Sequence, residues 1–219
     1  KKNYHFVHRI LCNIYAKSFL NHKIFWDAPL PSEPVIFAIN HPTTTDPLLL
    51  PMVTPNPLAI LVTEMAFDLP LFGPILRAAG HIPVMVKTSN GNQIIQSAVD
   101  MLDIGRSVAI FPEGILSPTP GSFNHPHSGA ARIALSSGAL VVPVGIYMLA
   151  NGITSTVTKS ENFESTSRWA LRGPYYISLG EAMRFTGDTE DREQVKKVTG
   201  QIFDAIKLQT WRSEERVKQ

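Results

Sequence analysis

Apolar positions recur every three or four residues at the start of the chain, then give way to short apolar runs separated by helical stretches. Tyr4, Val7, Leu11, Ile14 and Tyr15 follow amphipathic-helix spacing, and Phe6, Ile10 and Phe19 widen the stripe. Lys1, Lys2, His5, His8, Arg9 and Lys17 supply the opposite side. Such a helix, over about Tyr4 to Leu20, either packs on its own domain or lies on an anionic bilayer, where basic and apolar groups act together. Pro29, Pro31 and Pro34 close the segment, so residues 1–34 read as one basic helical unit. Beyond it, Val35–Ile39, Ala59–Thr63, Ile82–Met85, Ser107–Phe111 and Ala139–Tyr147 read as strands. Helical patterns cover Pro47–Met52, Leu71–Ala79, Gln93–Ile104 and Ser128–Ser137. Tyr175–Leu179 adds a late strand and Glu190–Arg216 a long terminal helix, with a polar surface loop expected at 150–174. This alternation predicts an α/β fold, a mixed sheet flanked by helices.

Composition narrows the class. Of 219 residues, 44% are apolar and only 17% charged, with mean hydropathy near zero. That excludes a disordered chain, a coiled coil and a highly charged binder. A net charge of +2 is too small for a nucleic-acid partner. The distribution is uneven, because Lys1, Lys2, Arg9, Lys17 and Lys23 all precede the first acid, Asp27. The lone Cys12 excludes an internal disulfide and a thiolate metal cluster. The longest uncharged apolar stretch, Pro47–Thr63, is broken by Pro51, Pro55 and Pro57, so no transmembrane helix is expected.

Candidate chemistry sits at strand exits. His41 and Asp46 form His-x-x-x-x-Asp directly after a buried strand, where α/β folds place ligand-binding loops. A tight loop there lets the carboxylate orient the imidazole, the geometry of general-base catalysis. Asp46 also precedes Pro47 and an apolar run, as a helix N-cap would. His22 and Asp27 repeat the spacing at the end of the basic segment, with no strand before them, and read as a decoy. A second exit carries Phe111-Pro112-Glu113-Gly114; glycine permits close backbone approach, and the glutamate can hydrogen-bond a polyol or hold the loop. Serine-hydrolase, Walker and dinucleotide signatures are absent. His125 and His127 flank Pro126 and read as surface, so no metal and no cofactor are expected.

In order along the chain, Asn40-His41-x-x-x-x-Asp46, Gly80-His81-Ile82-Pro83-Val84, Phe111-Pro112-Glu113-Gly114 and Val141-Val142-Pro143-Val144 resemble the glycerolipid acyltransferases that include lysophosphatidic acid acyltransferase. The resemblance spans roughly Val35 to Val144 and implies an acyltransferase domain over 35–219, with 1–34 in membrane contact. It implies that His41, held by Asp46, deprotonates an acceptor hydroxyl that attacks an acyl thioester of coenzyme A or acyl carrier protein. Phe111, Pro112, Glu113 and Gly114 match the acceptor-binding block. The implied acceptor is a lysophospholipid such as 1-acylglycerol-3-phosphate, and the implied location is peripheral, on the cytoplasmic face of a membrane. The apolar stretch from Pro47 to Val84 is either an acyl-chain groove or core.

The departures bear on the acceptor. Relatives that act on acceptor phosphates commonly carry arginines where this chain has Val86 and Leu116, and a basic residue where it has Asn124. Lys87, Arg77 and Arg132 remain as phosphate partners, and an ammonium is a poorer clamp than a bidentate guanidinium. The alternatives are the same chemistry on a lyso-glycolipid or other lipid alcohol, thioester hydrolysis by water through His41, or a non-catalytic lipid-binding protein.

Overall fold

The computed structural model describes residues 2–70, 72–84, 91–160 and 163–219. Helix α1 (Lys2–Phe19) leads directly into strand β1 (Leu20–Trp26). There follow β2 (Ile36–Ile39), α2 (Asp46–Leu49), β3 (Leu58–Thr63), α3 (Glu64–Phe67), α4 (Phe72–Ala79), β4 (Ile82–Val84), α5 (Gly91–Asp103) and β5 (Ser107–Ile110). The chain continues through α6 (Gly129–Ser137), β6 (Val141–Met148), β7 (Ile153–Ser160), β8 (Phe163–Ala170), β9 (Gly173–Leu179) and α7 (Arg192–Lys218).

Seven strands form one mixed sheet in the order β1-β9-β6-β2-β5-β3-β4. The run β6-β2-β5-β3-β4 is parallel; β9 joins β6 antiparallel, and β1 runs parallel to β9. The central strands β2 and β5 are buried at every position, as continuous apolar or small-residue runs covered on both faces should be. On one face Phe37, Ile39, Leu50, Ile60 and Ile146 pack with Cys12 and Ala16 of α1. On the other, Ile36, Ala38 and Val108 pack with Ala98 and Leu102 of α5, Ile133 of α6 and Ile202 and Ile206 of α7. Gly145 lets α7 press on β6, since a Cβ there would lie 1.9 Å from the Thr210 nitrogen.

Three expectations change. Residues 20–26 are not the tail of a helical unit: β1 is hydrogen-bonded into the sheet along its whole length beside β9, so the segment 1–34 is split between α1 and the main sheet. Residues 150–174 are not a polar loop but mostly the β7–β8 hairpin. Their Thr, Ser and Val residues favour strands, but polar residues on both faces hide the alternation. The stretch Pro47–Val84 divides, with Leu49, Leu50, Val53, Leu58 and Ile60 in the core and Met65, Leu69 and Ile75 exposed. Among the described residues, no helix is long and apolar enough to cross a membrane.

Candidate active site

The parallel strands β2 and β5 lie side by side, so the loops leaving their C-terminal ends meet at one sheet edge. At the exit of β2, the Asn40 side chain replaces a peptide group: its Nδ2 donates to the Ile146 carbonyl (2.9 Å) and its Oδ1 accepts from the Ile146 N–H (2.7 Å). That pairing holds the strand end to β6 while the backbone turns away through His41 and Pro42.

The turn brings His41 Nδ1 to 3.0 Å from Asp46 Oδ2. Asp46 is fully buried and opens α2, but its carboxylate points back into the loop rather than capping the helix. Oδ2 also accepts from the Thr43 N–H (2.8 Å); Oδ1 accepts from the Thr43 hydroxyl (2.5 Å) and the Tyr175 hydroxyl (2.6 Å). Surrounded by donors, the carboxylate acts only as an acceptor, so Nδ1 carries the proton and Nε2 presents its lone pair. Nε2 has no hydrogen-bond partner among the described residues. The ring stacks on Phe111, centroids 4.1 Å apart, which helps fix its orientation beside the carboxylate. Tyr175 is completely buried, and burial with the adjacent Asp46 charge raises its phenol well above the ordinary value, so it remains a donor.

The loop after β5 completes the arrangement. Glu113 is buried, and both oxygens are engaged by the chain itself. Oε1 accepts from the His41 N–H (3.2 Å) and the Ser117 hydroxyl (2.6 Å); Oε2 accepts from the Asn124 N–H (2.7 Å) and its side-chain amide (3.3 Å). Of the two roles open in the sequence, this is the geometry of holding the loop. Gly114 has φ +69° with the His127 ring against it, so a side chain there would be strained and crowded. The His127 N–H donates to the Pro112 carbonyl (2.8 Å).

The β7–β8 hairpin closes the third side. Thr44 N–H donates to the Arg168 carbonyl (2.7 Å), and the Arg168 and Ala170 N–H groups donate to the hydroxyls of Thr44 (3.0 Å) and Thr45 (2.9 Å). The structure therefore brings together His41, Asp46, Phe111, Pro112, Glu113 and Gly114. Arg77 is occupied elsewhere, donating to the Phe67 carbonyl, and Arg132 donates to the Thr189 carbonyl. Lys87 and Val86 lie outside the described residues. Thr43, Ser117, Arg168 and Tyr175 escaped the sequence reading. Of these, only Tyr175 carried a signal, as a tyrosine opening the expected late strand.

The acyltransferase family profile matches residues 20–147, from the start of β1 to the last residue but one of β6. The lyso-ornithine lipid O-acyltransferase of Pseudomonas aeruginosa is 31% identical over 124 residues, covering 56% of this chain and 46% of that protein. The match thus spans about half the length of that relative. The crystal structure of the 1-acyl-sn-glycerophosphate acyltransferase PlsC from Thermotoga maritima shares the fold, with TM-score 0.60, 16% identity and coverage of 93% of this chain and 78% of that one.

Proposed function

The chain belongs to the acyltransferase family, and on that premise we propose that it moves a fatty acyl group from a thioester of coenzyme A or acyl carrier protein to a lyso-lipid hydroxyl. The observation that carries the mechanism is the His41–Asp46 pair, with Nδ1 held by a buried carboxylate and Nε2 uncommitted. Nε2 takes the acceptor hydroxyl proton as the oxygen attacks the thioester carbonyl. The carbon–oxygen bond forms, the carbon–sulfur bond breaks, and the proton passes from His41 to the departing thiolate. Asp46 stabilises the imidazolium through the intervening step. Glu113 acts indirectly, by fixing the backbone of His41.

A phosphate-free acceptor is favoured over 1-acylglycerol-3-phosphate. Leu116 stands where an arginine is expected, Asn124 is committed to Glu113 and the Leu116 carbonyl, and Arg77 and Arg132 donate to the Phe67 and Thr189 carbonyls, away from the cluster around His41, so the paired arginines of a phosphate site are not assembled among the described residues. The relative from Pseudomonas aeruginosa, by its name, acts on a lyso-ornithine lipid. The test is thiol release from acyl-coenzyme A with a lyso-amino-acid lipid, 1-acylglycerol-3-phosphate, a monoacylglycerol and no acceptor. Release that is fastest with a phosphate-free lipid and accompanied by ester formation supports the proposal. Release of equal rate without any acceptor would make the protein a thioesterase instead.

We also propose that α1 holds the enzyme peripherally on a membrane. Its small residues Cys12 and Ala16 face the domain, while Phe6, Ile10, Leu11, Ile14 and Phe19 remain exposed beside Arg9 and Lys17. An outward face that is both apolar and basic suits an anionic lipid surface. Because β1 belongs to the sheet, the proper probe is substitution rather than deletion of residues 1–26. Phe6→Ser/Ile10→Ser/Ile14→Ser should reduce co-sedimentation with anionic vesicles; unchanged co-sedimentation would contradict the role.

A further inference from the structure

We propose that Arg168 recognises an anionic group on the acceptor lipid, making the β7–β8 hairpin a specificity element; this rests on the acyltransferase reading above. The backbone of Arg168 is fixed to the His41–Asp46 loop by its two hydrogen bonds with Thr44. Its guanidinium reaches across and donates from Nη1 to the Ser117 carbonyl. Ser117 is itself bonded twice to His41, through its N–H to the His41 carbonyl (2.8 Å) and through its hydroxyl oxygen from the His41 N–H (3.3 Å). The guanidinium therefore stands where the loops carrying His41 and Glu113 join.

Ser117 takes one of its N–H groups, and the rest have no partner among the described residues. The two buried carboxylates of the site are not available to it. Asp46 accepts from His41, Thr43 and Tyr175, and Glu113 accepts from His41, Ser117 and Asn124, so the acceptor capacity of both is used. The guanidinium is half-buried and its spare donors are open to solvent, so an oxyanion that fits the planar fork can replace water there with charge-assisted hydrogen bonds. A carboxylate and a phosphate edge share that chemistry. With Leu116 and Asn124 uncharged, Arg168 is the cation that the hydrogen-bonded cluster around His41 contains among the described residues.

The test compares kcat/KM for three acceptors, an amino-acid lyso-lipid with a free carboxylate, 1-acylglycerol-3-phosphate and an uncharged monoacylglycerol, in the unmutated chain, Arg168→Gln and Arg168→Lys. The expected result in Arg168→Gln is a fall of about ten- to a hundredfold in the ratio of anionic to uncharged acceptor, the scale of a lost charge-assisted hydrogen bond. Arg168→Lys, which keeps the charge and loses the fork, should fall between, and it serves as the reporter if Arg168→Gln does not fold. The anionic acceptor whose ratio collapses identifies carboxylate or phosphate as the group bound. An equal loss on all three acceptors would assign Arg168 to fastening Ser117 and overturn the proposal, as would no change in the ratio. An unmutated chain that transfers to none of the three overturns the parent reading, and this one falls with it.

Discussion

His41–Asp46 and His22–Asp27 have the same separation in sequence and opposite fates in space. At the first pair the chain leaves β2, turns at Pro42 and enters α2, so five positions close to a 3.0 Å hydrogen bond. At the second the chain stays extended, because β1 pairs with β9 through Trp26 and the Asp27 N–H continues the ladder to the Leu179 carbonyl. Extended backbone rises about 3.3 Å per residue, which puts roughly 16 Å between those two Cα atoms. Asp27 instead accepts from Gln209 and Arg212 of α7. In this chain the same histidine-aspartate spacing closes into a pair where the backbone turns after β2 and stays open where it runs extended along β1.

The largest way to break this contrast is at the buried carboxylate. Asp46→Asn places an amide N–H among groups that all donate, removes the partner that fixes the Nδ1 proton and stops supporting the imidazolium. Acyl transfer should fall by about a hundred- to ten-thousandfold, and unfolding in urea should show a loss of about 1–3 kcal/mol. Retained transfer would mean that Asp46 only holds the loop, through Thr43 and Tyr175, and does nothing for the chemistry of His41.

Tyr175→Phe sharpens the contrast by removing one donor to Asp46 and leaving the dyad distance in place. Activity should fall severalfold, and the pH dependence of stability should change in a defined direction. The folded phenol keeps its proton far above the ordinary value of 10.0, whereas the unfolded one loses it near there. Above about pH 10 the unfolded state binds fewer protons, so stability declines as pH rises. In Tyr175→Phe that part of the alkaline decline should vanish from urea midpoints measured between pH 8 and 11; an unaltered slope would place the titration elsewhere.

The smallest effect belongs to the decoy. Asp27→Asn loses a partly exposed pairing with Arg212, and such pairs contribute about 0–1 kcal/mol. Melting should shift slightly and acyl transfer should stay at the unmutated rate. A large loss of transfer would show that the sheet edge at β1 supports the site.

The sequence exposed those parts of the molecule whose physics is local. The buried runs of β2, β5 and β6 and the two strand exits were legible because period and turn chemistry lie within a few residues. His41 and Asp46 were paired by combining their spacing with the strand before them. Tyr175 and Arg168 were not legible, since they reach the loop from 129 and 124 positions away. Only the antiparallel return of β9 onto β6, and the hairpin preceding it, deliver them. Glu113 was legible as a carboxylate at a strand exit, but its occupancy by His41, Ser117 and Asn124 depends on how the loop closes. His22 lies on a strand rather than at the helix end its sequence suggested, and the extended backbone there keeps it apart from Asp27.

The most direct test of the central claim is ester formation from an acyl thioester and a lyso-lipid, measured side by side for His41→Ala and His22→Ala. Loss of about a hundred- to ten-thousandfold in His41→Ala, with His22→Ala at the unmutated rate, is the predicted result. Equal rates in the two variants would contradict His41 as the general base.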